Sequence, residues 1–287
     1  MPMLFPADGI IEPLIVLALA EDLGTAGDVT TRALVPQGCA ARAHFINRKD
    51  GIIAGLRIIN LVFKQLDPKL KAKTELTDGA FAPAGSTLCT IEGSAAAILT
   101  GERTALNFLC RLSGIATTTH RLQQKISHTK AKITDTRKTI PALRALEKYA
   151  VVCGGGVNHR MGLYDMVMIK DNHLALMNGD IAAAIAAAHA HAPNLPVAVE
   201  VENLDQLRGA LAAGPDRIML DNMPVPMMRE AVRITAGRRE LEATGGITAD
   251  NIVAVAETGV DYISSGWITH SAPALDIGLD FAPSPKA

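Results

Sequence analysis

Several short segments of this sequence carry side chains suited to chemistry on an anionic substrate. Asp135-Thr136-Arg137-Lys138-Thr139 sets two cations side by side. The Arg137 guanidinium is a planar fork that matches a carboxylate, and Lys138 is a mobile point charge that suits phosphate. A lone Arg-Lys pair is ordinarily a solvated loop, but this one follows a short apolar run. Cys153-Gly154-Gly155-Gly156-Val157-Asn158-His159-Arg160 brings a second cationic pair, His159 and Arg160, on backbone that three glycines leave free to turn. It is neither a Walker loop nor a dinucleotide fingerprint. Lys170 directly follows the apolar run Met166 to Ile169, where an unpartnered lysine would be costly. Val197 to Glu202 alternates, so Glu200 and Glu202 project from one face and the valines from the other. Asp221 ends the next such run. Thr244-Gly245-Gly246-Ile247-Thr248 has the form of a backbone phosphate cradle, with Thr248 expected to cap the following helix, and Ser264-Ser265-Gly266 reads as its second half.

Charge is partitioned along the chain although its net value is only -1. Between Arg111 and His173, 11 Lys or Arg stand against four acids, a local +7; from Ile181 onward 7 basic residues face 13 acidic ones, a local -6. A basic half opposing an acidic half suits a substrate with several negative groups, handled together with a divalent cation. Nucleic acid is a poor fit, because the basic stretch carries only Tyr149 and Tyr164 for stacking. The four cysteines show no metal spacing, and neither HExxH nor a nucleophile elbow is present. His189 and His191 read as exposed surface in an Ala-rich helix.

The elements that must position these residues fall into two regimes. Up to about Leu112 the pattern is mixed: a helix near Ile10 to Glu21, strands at Ala41 to Arg48, Lys71 to Leu76 and Ser86 to Glu92, a helix at Leu56 to Leu66 and a long one at Ala95 to Leu112. The turn from Asp78 to Gly85 has a carrier-hairpin look without a lysine and reads as scaffold. From Lys132 onward short apolar runs alternate with helical stretches: Lys132 to Thr134, Met166 to Ile169, Val197 to Val201, Arg217 to Leu220, Leu241 to Ala243 and Tyr262 to Ile263. That alternation predicts βαβ units, a parallel sheet and closure toward a barrel whose chemistry lies at the C-terminal strand ends. The expected fold is α/β, with a mixed α+β N-terminal domain (1–112), an open parallel α/β barrel (113–270) and a tail (271–287) packing back on the first domain.

Composition agrees, with 48% hydrophobic but only 3% aromatic residues, the filling of a sheet covered by helices. No run reaches the roughly 20 apolar residues of a membrane span, and acidic Asp8, Glu12 and Glu21-Asp22 make the apolar stretch Leu14 to Ala20 a helix rather than a signal peptide. A cytoplasmic protein with reduced thiols, without membrane or nucleic-acid partners, is expected.

These segments together resemble the quinolinate phosphoribosyltransferases. The resemblance covers nearly the whole chain and is densest in Gly101-Glu102-Arg103-Thr104-Ala105-Leu106-Asn107-Phe108, Arg111 to Thr117, Asp135 to Thr139, Leu146 to Ala150, Cys153 to Asp165 and Ile169 to His173. It implies the type II phosphoribosyltransferase fold and transfer of phosphoribosyl from phosphoribosyl pyrophosphate to quinolinate with decarboxylation, giving nicotinate mononucleotide, pyrophosphate and CO2 in NAD synthesis. It also implies roles: Arg103, Arg137, His159 and Arg160 for the two carboxylates of quinolinate; Lys138 and Lys170 facing pyrophosphate and carboxylate charge; Glu200 and Asp221 holding the ribose and Mg²⁺, directly or through water; Thr244, Gly245, Gly246 and Gly266 around the 5-phosphate. No organic cofactor is implied. A homodimer, or an assembly of dimers, is implied, with Arg103 reaching the partner's site. The chain departs from the family at Ala142, often Gly, at Thr244, often Ser, and at Trp267. The rival readings are a paralogue of the molybdenum-operon type that takes another base, a Schiff-base lyase using Lys170, and a non-catalytic metabolite-binding protein.

Overall fold

The computed structural model describes residues 4–282. Apolar periodicity opens the chain with α1 (Asp8–Leu23), whose Ile11, Ile15 and Leu19 are buried. A short α2 (Val29–Leu34), absent from the expected elements, follows; Asp28 caps it by accepting from the Thr31 N–H at 2.8 Å. Then come β1 (Ala40–Asn47), β2 (Gly51–Ile52), α3 (Leu56–Leu66), β3 (Lys71–Thr74), β4 (Phe81–Ala82) and β5 (Thr87–Ser94). The chain continues into α4 (Ala95–Lys125), far beyond the expected end at Leu112. Gly114 does not break this helix. It is the point where the backbone of Pro273 and Ala274 passes, and a Cβ there would lie 2.1 Å from the Pro273 carbonyl oxygen.

The second half runs β6 (Lys132–Thr134), α5 (Arg144–Cys153), β7 (Val167–Ile169), α6 (Asp171–Leu176), α7 (Ile181–His191), β8 (Val197–Val201), α8 (Leu204–Ala213), β9 (Arg217–Asp221), α9 (Val225–Thr235), β10 (Glu240–Thr244), α10 (Ile252–Ala256), β11 (Tyr262–Ser264), α11 (Trp267–His270) and β12 (Ile277–Phe281). Six of these strands form one parallel sheet in the order β6-β11-β10-β9-β8-β7. Because β6 and β7 occupy its two edges, the barrel is open between them. A four-stranded antiparallel sheet, β12-β1-β5-β3, and the small β2-β4 ladder carry the other half.

Two compact units result. One comprises residues up to Thr118 with Pro141–Gly155 and the segment from Ala272 on; the other comprises Thr119–Ile140 and Gly156–Ser271. Residues 113–118 and α5, both placed in the barrel by the expected boundaries, group with the first unit. For α5 its inner face explains why, since the Tyr149 hydroxyl donates to Asp78 at 2.6 Å and buried Glu147 pairs with Arg111 at 2.8 Å. At the end of the chain β12 hydrogen-bonds antiparallel to β1, and residues 283–287 of the expected tail lie outside the described residues.

Ala142, exposed before α5, sits at φ +66°, the left-handed region that disfavours a Cβ. That conformation costs an L-residue roughly 1–2 kcal/mol, against roughly 0.5–1 kcal/mol for the extra unfolded-state freedom of glycine. Ala142→Gly is therefore expected to stabilise the fold by about 0.5–1 kcal/mol and to raise the melting temperature by about 2 °C. A melt that is unchanged or lower would show that the strain is relieved elsewhere.

Candidate functional site

A cavity of about 580 Å³ lies at the C-terminal ends of the parallel strands, and every residue lining it belongs to the second unit. Period-2 alternation places its floor. In β9, Ile218 and Leu220 are fully buried, while Met219 and Asp221 line the cavity. In β10, Leu241 and Ala243 are buried and Glu242 and Thr244 line it; in β8 the valines are buried and Glu200 lines it. Register aligns these rows, pairing Glu200 with Met219, Met219 with Glu242, and Asp221 with Thr244, and neighbours in register share a face.

The cations come from the two open edges. Beyond β6, the Lys138 N–H donates to Thr136 Oγ1 at 3.0 Å and the Lys138 carbonyl accepts from Thr269 Oγ1 at 2.7 Å, which fixes the loop carrying Arg137 and Lys138. Val157 bridges Thr134 of β6 in parallel, and the His159 N–H donates to buried Asp135 Oδ1 at 2.9 Å. From there Arg160 turns inward, its Nη1 donating to the Met166 carbonyl at 3.1 Å. At the other edge, Lys170 Nζ forms a 2.5 Å ion pair with Glu200 Oε1 on the adjacent strand. Strand order thus sets cations on both edges around carboxylates and glycines on the central strands.

Electrostatics follow from that crowding. Burial, and then the neighbouring Arg137 charge, hold the Arg160 guanidinium below its ordinary range against the pull of Asp165 and Glu200. Two like charges at one wall make a receptor for an anion with more than one charged group. Burial pushes the Glu242 carboxyl up, but His159, the Arg217 guanidinium and the Ser264 hydroxyl outweigh it, and the group stays ionised more readily than a free glutamate.

Among the expected site residues, Arg137, Lys138, His159, Arg160, Lys170, Glu200, Asp221, Thr244, Gly245 and Gly246 all line the cavity. Gly266 does not; it leaves room for the Lys138 stem, since a Cβ there would lie 2.8 Å from Lys138 Cδ. Arg103 is exposed on α4 in the first unit. Gly245 and Gly246 take φ of +87° and +59°, and a Cβ on Gly245 would strike the Asn222 side chain at 2.2 Å. Thr248 is not the helix cap expected: α10 begins at Ile252, and Asn251 closes the loop by accepting from the Thr248 N–H and donating to the Gly246 carbonyl. His159 is 7% exposed; its Nδ1 accepts from the Arg160 N–H at 2.7 Å and its Nε2 lies 3.3 Å from Glu242 Oε2. Lys170 is ion-paired and 42% exposed along its side chain, not desolvated in an apolar pocket as a Schiff-base lysine requires.

Glu242, Asn222 and Asp171 also line the cavity, although none is among the site residues expected from the sequence. The signal for Glu242 was present in Glu240-Leu241-Glu242-Ala243-Thr244, which alternates as Val197 to Glu202 does. For a metal, Asp171, Glu200 and Asp221 line both the cavity and an adjoining recess of about 230 Å³ that Glu202 also borders. Among the described residues no cluster of three or more His, Cys, Asp or Glu forms a cage. One or two carboxylates without a cage fit Mg²⁺, which keeps waters and takes its remaining ligands from substrate phosphates.

Comparison with known proteins agrees with this geometry. Residues 28–113 match the family model for the quinolinate phosphoribosyl transferase N-terminal domain, and residues 115–280 match that for the C-terminal domain. The nicotinate-nucleotide pyrophosphorylase (carboxylating) of Mycobacterium leprae is 46% identical over 92% of this chain and 94% of its own. A mitochondrial quinolinate phosphoribosyltransferase (decarboxylating) of Nicotiana tabacum is 42% identical over 92% of this chain and 80% of its own. The solved nicotinate-nucleotide pyrophosphorylase of Francisella tularensis superposes with a TM-score of 0.92 at 42% identity, covering 96% of this chain and 98% of its own. With both domains matched in order over most of its length, this chain belongs to the quinolinate phosphoribosyltransferase family.

Proposed function

We propose that this protein transfers the phosphoribosyl group of phosphoribosyl pyrophosphate to quinolinate with loss of CO2, yielding nicotinate mononucleotide and pyrophosphate in NAD synthesis. The observation that carries the reading, beside family membership, is the cavity whose edge-strand cations face central carboxylates. The quinolinate nitrogen forms a bond to ribose C1 as the C1–O bond to pyrophosphate breaks. Positive charge grows on the ribose and negative charge on the leaving group; Glu200 and Asp221 stabilise the first and Lys138 the second, while Lys170 stands paired with Glu200 between them. The 2-carboxylate then leaves as CO2; its electron pair stays on ring carbon C2, stabilised by the adjacent cationic nitrogen, and C2 takes a proton from water. Arg137 and Arg160 orient the two carboxylates, and the Thr244-Gly245-Gly246 turn offers backbone N–H groups to the 5-phosphate. The direct test is to incubate the protein with quinolinate, phosphoribosyl pyrophosphate and Mg²⁺ and to assay nicotinate mononucleotide and CO2 together; product without CO2, or none, rejects the reading.

Mg²⁺, held by Glu200 and Asp221 directly or through water, would neutralise the charge of the departing pyrophosphate. Full activity in a chelator, with no divalent ion restored, would remove it from the mechanism; loss of turnover that Mg²⁺ restores is expected.

We place the protein in the cytoplasm as a homodimer or an assembly of dimers. Its four cysteines are free thiols, and burial pushes Cys89 and Cys153 up to about 12, which leaves them unreactive. No described helix is long and apolar enough to cross a membrane. Beyond its buried stripe α1 exposes Ile10 and Leu17 at 53% and 66%, with Pro13 and Ala20 at helical spacing between and after them. A helix apolar on both faces calls for a second cover, and a second copy of this chain supplies it while bringing Arg103 to the partner's cavity.

A further inference from the structure

Arg217, Glu240 and Glu242 form a chain of charges, reaching the cavity at Glu242, that none of the substrate-binding roles above uses. Arg217 on β9 lies over the Tyr262 ring at 3.9 Å and pairs with both Glu240, at 3.0 Å, and Glu242, at 2.9 Å. The Glu242 side chain is fully buried, and its Oε2 lies 3.3 Å from His159 Nε2. His159 Nδ1 in turn accepts from the Arg160 backbone N–H at 2.7 Å. A nitrogen that accepts carries no proton, so in the neutral ring the proton sits on Nε2 and faces the Glu242 carboxylate.

We propose that Glu242 is a positioning residue for substrate recognition: through His159 it fixes the ring tautomer, and through the Nδ1 contact it fixes the backbone from which Arg160 reaches the cavity. A buried carboxylate at the floor of an anion site would otherwise oppose the ligand. Its placement makes sense once Arg217 and the His159 N–H absorb its charge, leaving the Arg160 guanidinium available to the substrate. The lowered proton affinity of Glu242, set against its burial, accords with a carboxylate kept ionised for this purpose. Glu240, the other partner of Arg217, is half exposed and makes no contact with His159, so its charge should not matter to the site.

The substrate side of this inference rests on the proposed function; the tautomer does not. ¹⁵N-histidine NMR of the parent protein is expected to show His159 protonated at Nε2 and bare at Nδ1, and protonation at Nδ1 instead would overturn the proposal whatever the protein's activity. Glu242→Gln keeps volume and an acceptor oxygen but removes the charge. It is expected to raise the quinolinate KM about tenfold or more, with kcat within about threefold and the phosphoribosyl pyrophosphate KM unchanged, whereas Glu240→Gln matches the parent. Combined with His159→Ala, Glu242→Gln should cost nothing further, because it acts through that ring. Parent-like quinolinate KM, a loss confined to kcat, or full additivity with His159→Ala would each refute the role. A parent protein with the Nε2-protonated ring but no turnover of quinolinate would refute the proposed function and not the tautomer. If Glu242→Gln fails to fold, the parent spectrum still decides.

Discussion

Replacing Arg137 by alanine is expected to weaken quinolinate recognition about 10- to 150-fold while leaving the affinity for phosphoribosyl pyrophosphate within about threefold. A charge-assisted bidentate contact removed from a bound carboxylate costs about 1.5–3 kcal/mol, and each 1.36 kcal/mol is one decade. The geometry adds a reason for selectivity. Arg137 and Arg160 stand close enough for the charge of one to weigh on the other, so the pair is built for a ligand with two carboxylates. Losing one partner leaves a carboxylate without its fork, and the remaining guanidinium cannot serve both. Arg137→Lys should not restore the affinity, because an ammonium offers a point charge in place of two parallel donors. For the same reason nicotinate, with one carboxylate fewer, should be a poor substrate of the parent protein. Steady-state KM values for both substrates, with nicotinate run beside quinolinate, make the check. Equal use of the two bases would move the assignment to a paralogue of this fold that takes another base.

Several charged residues of this site were legible in the sequence because each sits next to a cue of its own. Arg137 and Lys138 follow an apolar run, Lys170 ends another, and Glu200 falls on the polar face of an alternating strand. Their arrangement was not legible. That β6 and β7 are the two edges, so that basic loops flank the carboxylates, depends on strand order, which no local pattern encodes. Glu242 illustrates the same boundary. Its alternation could have been read, but its importance depends on His159, which lies far away in sequence and arrives only when Val157 docks beside Thr134. Gly114 is the converse case. The helix expected to end at Leu112 runs on through it, and only the passage of Pro273 and Ala274 explains why α4 keeps a glycine there. α2 escaped because six residues carry too little periodicity.

Mixing two inactive variants, Arg103→Ala and Lys138→Ala, is expected to restore activity if subunits exchange. Lys138 lines the cavity of the second unit, whereas Arg103 is exposed on α4 in the first, and it is not among the residues that line the cavity of its own chain. If the two act on the same substrate molecule from different subunits, each homodimer of a single variant carries one lesion in both of its sites. A mixed dimer carries both lesions in one site and none in the other. Random exchange at equal amounts makes half the dimers mixed, so about a quarter of all sites, and about a quarter of the parent turnover, should return. Recovery should vanish when the subunits are cross-linked before mixing, since no new pairs can form. If instead Arg103 served the cavity of its own chain, every site in every combination would keep one lesion, and no ratio would recover activity. A monomer in solution at assay concentrations would sink the arrangement as well, because its site would remain open to water and short of one cation.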